Sequence, residues 1–244
     1  TTTGGLGGVV GVNTEKGNVQ YVDSLGVTNG GATGSSNIGG IIGTNNGNMY
    51  SGYNESIVSG KDNVGGLVGV NSGSVTNGRN NGTITGTNNV GGMVGSNEAG
   101  ATLKNLVNDS SAAIEGENYV GGIAGTNAGT ITAQNQSNLI NRGSITGQNY
   151  VGGVAGENIG TIEYVKNDVN LYVKDDTKTA QYFGGVAGIN GRVDATSTTE
   201  DETATGTITS ATNEGDVVAE NAQYVGGIVG WNTSQGKLVG MGNS

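Results

Sequence analysis

The side chains that ordinarily carry out chemistry are scarce in this 244-residue sequence. Histidine and cysteine are both absent. That excludes Ser-His-Asp and Cys-His nucleophile systems, imidazole- or thiolate-ligated metals, and disulfides. Carboxylates with Lys and Arg remain, the set used by some polysaccharide-cleaving enzymes, but such a site needs convergent groups. The acids keep no fixed place in the sequence pattern. The densest stretch, Glu200-Asp201-Glu202, lies in the longest insertion and reads as a solvated loop, as does Asp175-Asp176. Calcium held by nonapeptide repeats needs periodic Asp, which is not found. The sequence therefore predicts no enzyme, no catalytic residues, no cofactor and no metal.

Two further patterns with possible chemistry lead to the same place. Gly-Gly-x-x-Gly segments look superficially like dinucleotide loops, but they recur eight times with no helical pattern after them, so they read as structural glycines. Thr-x-Thr pairs of the kind that bind ice occur at Thr83/Thr85, Thr130/Thr132 and Thr207/Thr209. Thr83 falls in a different part of its repeat from the other two, so the pairs are not expected to form one array.

Positioning elements must come from an unusual composition. Glycine supplies 50 residues and proline none, only 12% of residues are charged, and the net charge is −10. An acidic chain without clustered Lys and Arg argues against nucleic acid and against an anionic membrane surface. No apolar run approaches the length of a transmembrane helix, so no membrane insertion is expected. The chain starts at Thr1 and ends partway through a repeat, which reads as a piece of a longer chain.

The organising signal is a repeat: an apolar anchor, Gly-Gly, two apolar residues, Gly, any residue, Asn. It starts at Leu6, Ile38, Val64, Val90, Val120, Val151, Phe183 and Val225, and it closes on Asn13, Asn45, Asn71, Asn97, Asn127, Asn158, Asn190 and Asn232. The shortest step is 26 residues, as from Gly65 to Gly91, and the longest is 42, from Gly184 to Gly226. Two shorter signals recur within a unit, Gly73-Ser74-Val75 after the Asn and Gly82-Thr83-Ile84 before the next anchor. Short Val- and Ile-bearing runs separated by Gly and Asn read as strands and corners. Three runs per unit predict an all-β, right-handed parallel β-solenoid of about eight triangular coils. One repeat domain spans 1–244, with a polar loop inserted at 191–205. At the interstrand spacing, eight coils make a rod roughly 38 Å long. The closing asparagines are expected to stack as a structural ladder.

Units such as Asn149-Tyr150-Val151-Gly152-Gly153-Val154-Ala155-Gly156-Glu157-Asn158-Ile159-Gly160-Thr161-Ile162 resemble the GLUG motif. That motif occurs in filamentous-haemagglutinin-like adhesins and in non-catalytic regions of some bacterial surface proteases. The resemblance covers nearly the whole chain. It implies a secreted or cell-surface bacterial protein engaged in adhesion or filament formation, the alternative being a non-catalytic spacer or self-assembling subunit attached to a surface enzyme. The implied partners are a host or neighbouring-cell protein or glycan, or a second copy. No catalytic residue carries over.

Three surface features follow from the repeat. The residue before the anchor is Tyr119, Tyr150, Tyr182 and Tyr224 in four coils and Asn37, Asn63 and Asn89 in earlier ones, so a tyrosine ladder should face outward as a candidate contact surface. The two adjacent apolar columns after Gly-Gly, such as Leu67 and Val68, should face opposite ways in a regular strand, leaving one as an external stripe covered by a partner. The insertion between Asp194 and Thr205 should protrude as a variable contact loop over a coil that keeps its register.

Overall fold

A computed structural model describes residues 4–29, 35–175, 178–192 and 204–244. It is a parallel β-solenoid whose coils contribute to four sheets in turn. In the third coil these contributions are Asp62–Gly65 in sheet A, Val68–Asn71 in sheet B, Ser74–Thr76 with Arg79–Asn80 in sheet C, and Thr83–Thr85 in sheet D. Sheets A and B have eight strands each and sheet D has seven, giving about seven complete turns with an eighth rung on A and B. Every pairing between named strands is parallel and joins successive coils, as in Val64 opposite Val90 and Val90 opposite Val120. The anchors from Leu6 to Val225 form one column in this way. The described residues contain one short 3₁₀ turn, Gln136–Asn138. No helix among them is long and apolar enough to cross a membrane.

The core has two compartments. Anchors such as Val64, Val90 and Val120 pack with Val58, Ile84 and Ile114 of sheet D. Residues after Gly-Gly, such as Leu67 and Val68, pack with Met49, Val75 and Leu103 of sheet C. Between the compartments, sheets A and B approach backbone to backbone, which is why the repeat is so rich in glycine. A Cβ on Gly65 would collide with the Val68 carbonyl, and one on Gly69 with the backbone of Asn37 and Ile38 in the preceding coil.

The expected external stripe is overturned. Ile41 and Ile42, Leu67 and Val68, Met93 and Val94, Ile123 and Ala124 are all fully buried, both columns in one compartment. The alternation that would have sent them apart is broken just after Gly-Gly. The N–H groups of Leu67 and Val68 both donate to the Met93 carbonyl, at 2.9 and 3.1 Å. Those of Ile123 and Ala124 both donate to Val154, at 3.0 Å each. Two successive amides share one acceptor at the bend between the sheet A and sheet B strands, while the register stays one-to-one, and the bend turns both side chains inward.

The polar insertion falls largely outside the described residues, as do Glu200-Asp201-Glu202 and Asp176. Its base is described: Arg192 and Ala204 exchange backbone hydrogen bonds of 2.8 and 3.1 Å in an antiparallel bridge. The coil on either side keeps its register, with Asn190 opposite Asn232.

Candidate functional site

The closing asparagines form a continuous chain of side-chain amides. Asn13 donates Nδ2–H to Oδ1 of Asn45, and the relay continues through Asn71, Asn97, Asn127, Asn158, Asn190 and Asn232 at 2.8–2.9 Å. All of these except Asn232 are buried. Local contacts fix each amide: Asn71 donates to the Gly73 carbonyl and accepts from the Gly73 N–H. This Asx-type turn satisfies the corner backbone.

Sequence reasoning missed a second ladder. Asn54, Asn80, Asn108, Asn141, Asn167, Asn213 and Asn243 are bonded in series at 2.7–3.0 Å. Its signal was present two residues before the second short run, in Asn80-Asn81-Gly82 and Asn141-Arg142-Gly143. From Gly40 onward the ladder packs on the second glycine of the Gly-Gly pairs, where a Cβ on Gly66 would stand 2.6 Å from the Asn80 side chain. In both ladders Nδ2 donates toward the following coil. Surface amides run the other way, as in Asn63 to Asn37 and Asn118 to Asn88.

The residue before each anchor has a backbone that alternation alone did not predict. Asn37, Asn63, Asn89, Tyr119, Tyr150, Tyr182 and Tyr224 all have φ between 53 and 61°. This left-handed region makes the corner that feeds the anchor inward. Asn adopts it readily, and Asn63 and Asn89 add hydrogen bonds of 2.7–2.8 Å along the column. Tyrosine has no such compensation. A left-handed tyrosine costs roughly 1–2 kcal/mol.

The tyrosine rings recover about that amount from each other. Tyr119 and Tyr150 stack with centroids 4.6 Å apart and planes 11° from parallel. Tyr150 and Tyr182 follow at 4.8 Å and 14°, and Tyr182 and Tyr224 at 5.0 Å and 5°. Trp231 stacks on Tyr182 at 5.4 Å. Each pair contributes about 0.5–1.5 kcal/mol beyond area burial, which offsets much of the backbone strain. Tyr119, Tyr150 and Tyr182 are half-buried and Tyr224 is exposed. Because ring faces are covered by neighbouring rings, the stack offers solvent its edges and hydroxyls.

At the start of the stack a recess of about 320 Å³ is lined by Asn89, Ser96, Tyr119, Thr126, Glu157 and Arg192. Glu157 is buried, and Arg192 grips its carboxylate with Nε–H at 3.0 Å and a second N–H. Burial first, then the Glu157 charge, raises the Tyr119 phenol above its ordinary value of 10.0. Burial also raises Tyr150.

The Thr-x-Thr pairs divide as their repeat positions predict. Thr83/Thr85 belongs to sheet D, while Thr130 and Thr207 share a column of sheet C, joined through Thr161. The companion column in sheet C carries Lys104 and Glu163 between its hydroxyls. No family model matches the chain, and no match was found among curated proteins or solved structures.

Proposed function

We propose that this chain is a structural and adhesive rod of a secreted or cell-surface bacterial protein, and that its tyrosine face makes the contact. The observation that carries this reading is the change of residue in one left-handed column. Asparagine fits that backbone without strain, yet four successive coils carry tyrosine there. Left-handed strain carried by a bulky residue in four successive coils motivates the assignment of a contact role to this face. Phenol rings repeating every 4.6–5.0 Å along the solenoid suit a partner that is itself repetitive, such as a surface glycan, a surface protein or a second rod. The GLUG-like units support the same class of protein.

A second reading, a non-catalytic spacer, draws support from the two buried amide ladders. Both extend nearly the length of the rod and stiffen it whatever its faces do. The Tyr150→Asn/Tyr182→Asn variant separates the two, since earlier coils already carry Asn there. Loss of binding to cells or immobilised glycans, with the fold intact, supports the adhesive face. Unchanged binding, or none by the parent, leaves the spacer.

A further inference from the structure

We propose that the tyrosine stack is a site of oxidative phenol coupling, in which dityrosine links staple one coil to the next. The proposal does not depend on what the face contacts. The chain has no cysteine, so no disulfide can brace it. Among the described residues its coils are held by hydrogen bonds, packing and ion pairs such as Arg79–Asp109, none of them covalent. The stack is where phenols already meet across coils: Tyr119 with Tyr150, Tyr150 with Tyr182 and Tyr182 with Tyr224, at centroid distances of 4.6, 4.8 and 5.0 Å. All four are open to solvent in part, and all lie in one column on a rigid frame.

A one-electron oxidant, such as a peroxide-derived or peroxidase-generated radical, takes one electron from each of two neighbouring phenols, and each loses its hydroxyl proton. The two phenoxyl radicals couple through ortho carbons, forming one C–C bond. Each ortho hydrogen is then lost as the ring regains aromaticity and the oxygen is reprotonated. Two electrons and two protons leave in all, and the product is two hydrogens lighter. The rings must slide from face-to-face to edge-to-edge, which half-exposed side chains on a surface column can do. Such links would close loops between positions 119 and 150, 150 and 182, or 182 and 224, restricting the unfolded chain as disulfides do.

The test is oxidation of the chain at high dilution with a small photo-generated one-electron oxidant, followed by digestion and mass spectrometry. The expected product is an intrachain link between neighbouring members of the column, with a higher thermal unfolding midpoint. The Tyr150→Phe/Tyr182→Phe variant keeps the stacking rings but removes a phenol from every adjacent pair, and should lose more than nine-tenths of these links. The Tyr150→Asn/Tyr182→Asn variant should behave alike, so a folding defect in one does not decide the matter. Links only between molecules, rising with concentration, would overturn the proposal. So would links confined to the edge-on Tyr21–Tyr50 pair, a yield in the variants equal to that of the parent, or linked protein with an unchanged midpoint.

Discussion

Asn158 donates its side-chain amide to Oδ1 of Asn190 at 2.8 Å, and neither residue is reached by solvent. Replacing Asn158 by Ala leaves the Asn190 oxygen without that donor and takes away the acceptor used by Asn127. Buried polar groups left without partners are costly. We expect Asn158→Ala to lower stability by roughly 2–4 kcal/mol in urea unfolding, against less than about 1 kcal/mol for Asn88→Ala in a surface ladder. Equal losses would show that the buried ladder has no special weight.

Gly122 tests the packing of the second amide ladder on the second glycine of the pair. A Cβ there would press on the Asn141 side chain and the Gly153 carbonyl. Gly122→Ala is expected to cost at least about 1–3 kcal/mol by overpacking. Gly26 has open space around its Cβ position, and Gly26→Ala should stay within about 0.5 kcal/mol. Thermal unfolding of the two variants makes the comparison.

Arg192 and Glu157 should behave as a unit. Arg192→Ala strands a buried carboxylate and is expected to cost about 1–3 kcal/mol. Adding Glu157→Thr, the residue that Thr126 already supplies at the neighbouring rung, should restore most of the loss. A double variant no more stable than Arg192→Ala alone would contradict the pairing.

Tyr119 and Tyr150 give the rod a sensitivity to alkali. Their folded phenols titrate above the ordinary value of 10.0. The contribution is fully present below that value and is lost as pH rises through the folded pKa, because only unfolding lets the phenols ionise freely. Unfolding midpoints should fall on entering this alkaline range, and fall less in Tyr119→Phe/Tyr150→Phe. An identical decline in both proteins would place the alkaline sensitivity elsewhere.

Much of this architecture was legible because the solenoid writes one coil above another. The anchors from Leu6 to Val225 align in sequence as they do in space, and a closing Asn at a fixed offset implies a column. Backbone irregularities were harder to read. The pairing of Leu67 and Val68 on one side depends on a bend at which two amides share the Met93 carbonyl, and residue types do not announce that bend. The left-handed column was hinted at by Asn37, Asn63 and Asn89 but hidden by Tyr119 and its successors, since tyrosine is a poor marker of positive φ. A second left-handed column through Tyr21, Ser51, Asn77, Asn105, Tyr164 and Ser210 runs through sheet C, and its mixed residue types obscured it. The second amide ladder was hidden because its members recur at steps of 26 to 46 residues, with the insertions falling between them.

The common direction of the two buried ladders has an electrical consequence. Each side-chain amide resembles a peptide unit, with a dipole of about 3.5 D, and hydrogen-bonded chains of such groups polarise one another. Strands of a sheet contribute little net moment of their own. The buried amides outnumber the oppositely directed surface ones and so give this β-solenoid an axial dipole, positive toward Asn232 and Asn243 and negative toward Asn13 and Asn54. Every coil added with the same two asparagines lengthens it, so the rod has a sense of direction that its near-identical repeats would otherwise conceal.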